Sequence, residues 1–410
     1  MNRAPGVVIS TCRVKSSISS LARAFTIDGK ERIFGLDLLR AIAIFNVVYL
    51  HAYDYVRADV PLRVYSWFVI ADGVTVFFVL SGFLIGTILI RTFERPNSRA
   101  ADLAIFWVRR WCRTLPNYFL LLAVAALLSG RSAADLIPLL ARFATFSQNL
   151  YTRHPNFFFE AWSLSVEEWF YLAIPILLWT ASRFCSFRSS LLMAIIGCLI
   201  GVTSMRMSRA LSLGAVDTRI WSEVFRGQVI TRLDSLIYGV LGAYLGYYHP
   251  VGWKRFAGVA GIIGAALLLI LKVGSDSYLS ESHGFYDEVL SFSFVSLAVL
   301  LTLPFLSSFR PNVSWATRII TFVSIVSYAV YIINFSFIRN WLIPNLQVEF
   351  PHVTGGVWWY GSFWLATLSL SYLLYCCYER PVMNLREKLG NPRPRIPDGL
   401  EGSRRNVAER

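Results

Sequence analysis

The sequence predicts an all-α, polytopic integral membrane helix bundle with about ten transmembrane helices and both termini in the cytosol. Hydrophobic residues make up 55% of the 410 residues, and charged residues make up only 16%. The apolar residues fall in long runs, which soluble domains of this length do not carry. Basic residues concentrate in alternate connecting segments, so the net charge of +14 reflects membrane topology and does not indicate nucleic-acid binding.

Ten apolar stretches are long enough to cross the hydrocarbon core of a bilayer. They lie at about 36–54, 66–90, 114–130, 158–180, 189–205, 231–248, 256–272, 288–306, 319–341 and 357–378. A shorter stretch at 135–146 contains Pro138 and Arg142, and we expect it to lie at the membrane interface. The spans define one transmembrane domain, residues 36–380, between a basic cytosolic tail at 1–35 and a flexible cytosolic tail at 381–410.

The distribution of Lys and Arg sets the predicted orientation. With the N-terminus in the cytosol, the segments on that side carry 26 Lys and Arg residues, and the segments on the opposite side carry nine. Because cytosolic loops of membrane proteins are enriched in basic residues, both termini are predicted to be cytosolic. The six cysteines show no spacing typical of a zinc site or a disulfide framework, so we expect no metal and no bound cofactor.

The first span carries a stripe of polar side chains. Arg40 and His51 are eleven residues apart, about 20° past three full helical turns, and Asp37 lies one turn before Arg40. The rise of about 16 Å places Arg40 near the cytosolic end and His51 in the outer part of the span. Such a stripe is expected to face a bundle interior or an aqueous cavity. In the alternative, Arg40 reaches the inner headgroups and pairs with Asp37, while His51 is interfacial.

The second span contains "DGVTVFFVLSGFLIG" at 72–86, which combines small residues with a few polar positions. Small residues allow helices to approach closely, so most of this segment predicts packing. Ser81 lies within the small-residue stretch. Asp72 lies at the outer end of the span, near the predicted level of His51, and is a candidate to orient or charge that imidazole.

The segment "FWVRRWCRTLP" at 106–116 marks the predicted cytosolic entrance of the third span. Arg109, Arg110 and Arg113 exceed what membrane topology requires, and Trp107 and Trp111 are interleaved with them. Guanidinium groups suit phosphate, and aromatic rings suit an adenine or a lipid headgroup. The segment therefore predicts either a site for a phosphate-bearing substrate or an anchor for anionic lipid.

The run "FEAWSLSVEEWFYLAIP" at 159–175 brings carboxylates into the fourth span. Glu167 and Glu168 point about 100° apart, so one can face a cavity while the other is paired. Trp162 and Ser163 lie close by in the sequence. Because ionisable residues inside a membrane are costly, we expect a functional or buried-pairing role for at least one of the two carboxylates.

Two later spans carry further polar positions. Arg232 and Asp234 lie at the outer end of the sixth span, where we expect a structural ion pair. In the ninth span, Ser327, Tyr331 and Asn334 follow i, i+4, i+7 spacing. This spacing places the three side chains on one helix face.

Together these segments resemble the membrane acyltransferase-3 family of bacterial integral membrane O-acyltransferases. The matching segments follow the family's order over nearly the whole chain: "LDLLRAIAIFNVVYLH", "GVTVFFVLSGFLI", "RRWCRTLP", "WSLSVEEWFYL", "RLDSLIYG" and "SYAVYIIN". The first contains the family's Arg-x10-His pattern as Arg40 and His51. Many members have a histidine in a ninth-span motif SY-x-x-Y-x-x-H, where this chain has Asn334, a residue that cannot titrate near neutral pH.

The resemblance implies a multi-pass enzyme of the bacterial inner membrane. It would move an acyl group, usually acetyl and in some members succinyl, from cytosolic acyl-CoA to a hydroxyl of a cell-surface or lipid-linked glycan. The three arginines of the third span would meet the phosphates of acyl-CoA, and the thioester would extend along the Arg40 stripe. His51 would act as general base or carry the acyl group covalently, and Glu167 or Glu168 would orient the imidazole or bind the sugar.

Two other functions fit the same polar residues. In a proton-coupled transporter, His51, Arg40 and the glutamates would form a relay. In a non-catalytic membrane protein of glycan assembly, the polar residues would be structural only. Inverted repeats with paired broken helices would favour the transporter, and the sequence shows no such repeat.

Overall fold

A computed structural model describes residues 32–95, 99–274 and 282–389, so most of the predicted N-terminal and C-terminal tails lies outside the described residues. The α-helices are α1 Phe34–Ala52, α2 Leu62–Tyr65, α3 Gly73–Phe93, α4 Ala100–Leu128, α5 Ala133–Ala144, α6 Ala161–Ala181, α7 Phe187–Leu213, α8 Thr218–Ile220, α9 Leu233–Tyr248, α10 Pro250–Arg255, α11 Ala257–Gly274, α12 Ser291–Ser308, α13 Trp315–Ile333, α14 Ile343–Glu349, α15 Gly356–Leu374 and α16 Arg380–Leu389.

Shorter elements connect or extend these helices. The 3-10 helices are Tyr53–Tyr55, Ser66–Phe68 and Val229–Thr231, and the π-helices are Trp221–Arg226, Tyr286–Leu290, Asn334–Leu342 and Tyr375–Glu379. The strands β1 Val216–Asp217 and β2 Ser282–His283 pair antiparallel, with Val216 opposite His283. The fold is therefore a helix bundle with one minimal strand pair among the described residues.

Eight helical segments of the described chain are long and apolar enough to cross a membrane. They are Phe34–Tyr55, Leu62–Phe93, Ala100–Leu128, Ala161–Ala181, Phe187–Leu213, Ala257–Gly274, Tyr286–Ser308 and Trp315–Glu349. The other two predicted spans, 231–248 and 357–378, coincide with α9 and with α15 and its π-helical extension. The predicted fold class, a polytopic helical membrane protein, is confirmed. At 12 residues, α5 is about 18 Å long, too short to cross a bilayer.

The third predicted span begins earlier than hydropathy indicates. We expected it from residue 114, whereas α4 begins at Ala100 and places the three arginines inside the helix. The helix starts with a capping box, in which the Asp102 carboxylate accepts a hydrogen bond from the Arg99 backbone N–H at 2.8 Å. The hydropathy of residues 100–113 did not reveal this part of the helix, because charged residues lower the mean hydropathy without breaking a helix.

Helices α3 and α9 cross at glycines that leave no room for side chains. A Cβ at Gly82 would lie 1.8 Å from the backbone oxygen of Leu236, and a Cβ at Gly239 would lie 2.0 Å from that of Val79. The predicted packing role of the small residues in the second span is therefore confirmed. The crossing fixes α3, which carries residues of both cavities described below.

Two buried ion pairs replace the expected Arg232–Asp234 pair. Arg206 of α7 donates to Asp234 at 2.7 Å, and both side chains are fully buried. Arg232 lies 3.7 Å from Asp72 and donates to Thr75 at 2.6 Å. Residues two apart at a helix start do not face each other, so each meets a different neighbour.

Candidate active site

A large polar cavity surrounds His51 at the end of α1. Its volume is about 730 Å³, and we call it the histidine cavity. Its wall combines titratable, cationic and aromatic side chains, among them His51, Asp72, Glu160, Trp162, Arg226 and Tyr331. A cavity of this size and composition suits a polar organic substrate.

Asn334 fixes which nitrogen of the neutral His51 ring carries the proton. Its side-chain nitrogen donates to the backbone oxygens of Val330 at 2.9 Å and Tyr331 at 2.7 Å, so its oxygen is the atom that faces His51. That oxygen lies 2.5 Å from His51 Nδ1, which must therefore carry the proton and donate. In the neutral ring Nε2 then has a free lone pair, which is the requirement for a general base.

The segment that carries Asn334 is itself held in place by a buried carboxylate. Asn334 begins the nine-residue π-helix, and Glu160, only 2% exposed, accepts hydrogen bonds from the backbone N–H groups of Phe335 at 2.9 Å and Ser336 at 2.8 Å. The Ser336 hydroxyl also donates to Glu160. These bonds satisfy amides at the start of the segment and position the Asn334–His51 pair.

An ion pair ties the same segment to the chain that follows His51. Arg339 of the π-helix donates to Asp54, three residues beyond His51. The Phe335 ring meets the His51 ring edge-on, with centroids 4.5 Å apart. The imidazole is therefore confined on its Nδ1 side by Asn334 and on one ring face by Phe335, as a precisely oriented catalytic group would be.

A second, smaller cavity holds arginines from α1 and α4. It measures about 100 Å³, and we call it the arginine cavity. Its polar wall includes Arg40, Ser81, Arg110, Arg113, Ser163 and Glu167. Helix α1 thus presents Arg40 to one cavity and His51 to the other, in agreement with the predicted polar stripe.

Arg40 is held by a cluster at the start of α1. Asp37 accepts hydrogen bonds from Arg40 at 3.3 Å and from Arg32 at 2.6 and 2.9 Å. Ser324 of α13 donates to Asp37 at 2.7 Å and accepts from Arg40 at 3.0 Å. The expected Asp37–Arg40 pair is therefore present, but Arg40 also lines a cavity. Sequence reasoning missed Ser324, which lies one turn before Ser327 on the same helix.

The two glutamates of α6 belong with the arginines and not with His51. Glu167 accepts a hydrogen bond from Ser81 at 2.7 Å and pairs with Arg110 at 3.4 Å. Glu168 accepts from the Trp111 ring N–H and the Thr114 hydroxyl, both at 3.0 Å. The expectation that one of them orients the imidazole is wrong, because both bond side chains of α3 or α4 and neither lines the histidine cavity.

Arg113 differs from the other two arginines of the arginine cavity in its pairing. Its side chain is exposed, and among the described residues it makes no ion pair, whereas Arg40 and Arg110 each have a carboxylate. Arg109 is exposed too but is not among the residues that line the cavity. The predicted group of three arginines is thus divided, with Arg110 and Arg113 facing the cavity and Arg109 outside it.

Asp72 and Trp162 both line the histidine cavity, but Asp72 does not have the expected role of orienting His51. Asp72 caps α3 by accepting from the Thr75 backbone at 3.2 Å, and it pairs with Arg226 at 3.3 Å. It is Asn334, and not Asp72, that orients His51. The Arg226 guanidinium lies 4.7 Å from the centre of the Trp162 ring, which leaves a cation and an aromatic surface side by side in the wall.

A second imidazole lies in the wall of the histidine cavity. His154 lies on the segment between α5 and α6, and it lines this cavity. Burial lowers the pKa of its imidazole to about 4, so this ring is neutral at pH 7. No group of three or more His, Cys, Asp or Glu that could bind a metal occurs in the part of the chain that the structure describes.

Known proteins resemble the chain over most of its length. A family profile described as an acyltransferase domain matches residues 33–376. The peptidoglycan O-acetyltransferase OatA of Listeria monocytogenes is 24% identical over 348 residues, which cover 79% of this chain and 52% of that protein. The O-acetyltransferase OatA of Staphylococcus aureus is 27% identical over 295 residues, which cover 66% of this chain and 45% of that protein. No solved structure matches the chain.

These matches concern the part of the chain that carries both cavities. The chain spans about half the length of the two curated relatives, and the family profile covers every residue from α1 to α15. The matched range includes His51 and Asn334 as well as the cavity-facing arginines. The chain therefore belongs to the acyltransferase-3 family and folds as a multi-pass membrane helix bundle.

Proposed function

We propose that the chain is an O-acetyltransferase that moves an acetyl group from cytosolic acetyl-CoA to a hydroxyl of a cell-surface or lipid-linked glycan. The observation that carries the proposal is the His51–Asn334 pair, which leaves Nε2 of a half-buried imidazole free in a polar cavity. The names of the relatives, all O-acetyltransferases, support acetyl as the acyl group. The excess of Lys and Arg on one side supports cytosolic termini in a bacterial inner membrane.

The arginine cavity is the proposed donor side. Arg40 and Arg113 come from different helices and bring positive charge to one small space. Guanidinium groups bind phosphate strongly, so the anionic part of acyl-CoA is expected to bind at Arg113 while the thioester points into the bundle. Arg40 then lies on the route from the cytosolic side toward His51. Membrane lipids would surround the outer faces of the helices.

The chemistry proposed for His51 balances without a metal. Nε2 takes the proton of the acceptor hydroxyl as its oxygen attacks the thioester carbonyl carbon. A C–O bond forms, the C–S bond breaks, and the imidazolium returns the proton to the departing thiolate. Asn334 keeps the ring in the required tautomer throughout. A covalent acyl-histidine on the same Nε2 is the alternative route.

The histidine cavity is the proposed acceptor side. Its volume of about 730 Å³ and its polar and aromatic wall suit a sugar unit. Trp162 offers a flat surface to a sugar ring, and the Arg226 and Glu223 side chains offer hydrogen-bond donors and acceptors to hydroxyls. The acceptor hydroxyl would then lie beside His51 Nε2.

The test is acyl transfer by the purified full-length chain in detergent or nanodiscs, with labelled acetyl-CoA and a glycan acceptor. His51→Ala should abolish transfer without changing the amount of protein in the membrane, and His352→Ala, which removes an exposed loop histidine, should leave transfer unchanged. Full activity of a well-expressed His51→Ala variant would refute the proposed role. Transport of a substrate by wild-type proteoliposomes without acyl transfer would favour a transporter instead.

The donor side has its own test. Arg113→Ala should raise the KM for acetyl-CoA by about tenfold or more and change the KM for the acceptor little, because the loss of a charged hydrogen bond costs about 1.5–3 kcal/mol. Arg109→Ala is the matched control, since this arginine lies outside the cavity. Equal donor KM values for the two variants would assign both arginines to lipid anchoring.

A further inference from the structure

The two cavities meet at one polar partition. Tyr331 of α13 and Val74 of α3 line both cavities, and of these two only Tyr331 carries a polar side chain. The Tyr331 hydroxyl lies 2.5 Å from the hydroxyl of Ser163, which lines the arginine cavity. The next residue toward the N-terminus, Trp162, lines the histidine cavity. The hydroxyl pair therefore stands where the two spaces come together.

This position is imposed by the packing around it. Tyr331 is 8% exposed, and its ring meets Phe77 edge-on with centroids 6.3 Å apart. The Ser163 and Tyr331 hydroxyls both lie within hydrogen-bond reach of the backbone oxygen of Glu160, at 3.2 and 3.4 Å. Tyr331 also precedes Asn334 by one helical turn, and the Asn334 amide donates to the Tyr331 backbone oxygen at 2.7 Å, so the partner of His51 is bonded directly to this tyrosine.

If the donor enters through the arginine cavity and His51 acts from the histidine cavity, the reacting carbonyl must lie at their junction. We infer that the Tyr331 hydroxyl, assisted by Ser163, donates the hydrogen bond that stabilises the negative charge on the thioester oxygen during acyl transfer. Tyr331 is thus a catalytic residue for the reaction, and the inference rests on the proposed function.

The step balances with the groups already named. The acceptor oxygen attacks the carbonyl carbon and gives its proton to His51 Nε2, and the carbonyl electron pair moves onto oxygen. The Tyr331 O–H, which lies within hydrogen-bond reach of Ser163, turns its proton toward this oxyanion. When the C–S bond breaks, the electron pair returns to re-form the carbonyl, and the thiolate takes the proton from His51. A hydrogen bond that strengthens as charge develops lowers the barrier without tightening substrate binding.

The experiment compares Tyr331→Phe with wild type and with Tyr118→Phe. The Phe variant keeps the ring packing and removes only the hydroxyl. Tyr118 is a buried tyrosine outside both cavities, and its hydroxyl donates to the backbone oxygen of Phe143 at 2.8 Å. We expect Tyr331→Phe to lower kcat by about a hundredfold with an unchanged KM for acetyl-CoA, the size seen when one oxyanion donor is lost. Ser163→Ala should lower kcat less, and Tyr118→Phe should leave it unchanged.

The outcomes separate this inference from the proposed function. If wild type transfers acetyl, His51→Ala does not, and folded Tyr331→Phe retains its kcat, the oxyanion role is refuted while the proposed function stands. A rise in donor KM at constant kcat would also refute it, because that would make Tyr331 a binding group. If wild type transfers no acyl group, both proposals fail. Matching unfolding temperatures of the Phe variants establish that a loss of kcat is not a loss of folded protein.

Discussion

Replacing Asn334 by leucine should slow acyl transfer without unfolding the protein. The side chains are similar in size, so the substitution removes mainly the polar contacts of a fully buried amide. The contact that matters for chemistry is the 2.5 Å bond from His51 Nδ1 to the Asn334 oxygen, which fixes the proton on Nδ1. Without an acceptor there, the imidazole is free to carry its proton on Nε2, where it cannot act as a base.

The size of the effect follows from the contact that is lost. A buried donor left without its partner costs about 1–3 kcal/mol. If the tautomer with its proton on Nδ1 is destabilised by this free energy, kcat drops by roughly 5- to 150-fold. The donor KM should not change, because Asn334 lies away from the arginine cavity.

The assay is transfer of labelled acetyl by purified variants at saturating donor, with unfolding temperatures measured alongside. Asn334→Asp keeps an acceptor oxygen for Nδ1 and should stay within about tenfold of wild type, although it loses the two bonds donated by the amide nitrogen. Asn345→Leu, which changes an exposed asparagine on α14, serves as the control and should behave as wild type. Wild-type kcat in folded Asn334→Leu, or equal losses in the Leu and Asp variants, would refute the assignment of the tautomer.

Three further predictions concern the frame around the site. Gly82→Ala should lower the free energy of unfolding by about 1–3 kcal/mol or prevent folding, because its Cβ would overlap α9. Gly197→Ala, with no atom within 4 Å of the added Cβ, should be neutral or stabilising in the same thermal unfolding assay. Arg206→Met should cost about 3–5 kcal/mol by leaving Asp234 buried and unpaired, and the double variant with Asp234→Leu should recover part of that loss in denaturation experiments. Glu160→Ala should lower kcat more than Glu160→Gln does, since the amide keeps one acceptor oxygen for the π-helix; equal kcat values would contradict the positioning role.

The sequence predicts well what depends on helical periodicity alone. The eleven-residue spacing of Arg40 and His51 correctly indicated one face of α1, and the glycines of the second span correctly indicated a close crossing. Hydropathy located the apolar part of every span but not the start of α4, because charged turns continue a helix without adding apolar residues.

The predictions that were wrong concern side chains that could contact several different neighbouring residues. Glu167 and Glu168 were expected near His51 because the family resemblance implied a carboxylate beside the imidazole, and periodicity gives the helix face of a residue without giving its neighbours. From the sequence, Asn334 is only a residue that cannot titrate at a position where many relatives have a histidine. Its role as the partner of His51 depends on a π-helix whose backbone amides bind a carboxylate from another part of the chain. Arg232 and Asp234 looked like partners because they are close in sequence, yet three-dimensional packing gives each a different one.

The buried pairs at the start of α9 also bear on how the protein reaches its membrane. This helix has 16 residues and carries Asp234 in its first turn, and the Asp234 carboxylate can pair with Arg206 only when α7 is already beside it. A helix that is short and charged at one end enters lipid poorly by itself. We therefore expect α9 to be retained near the translocation machinery until α3 and α7 are in place. Because its two glycine contacts and its ion pair require α3 and α7, this helix would insert only into a correctly assembled bundle.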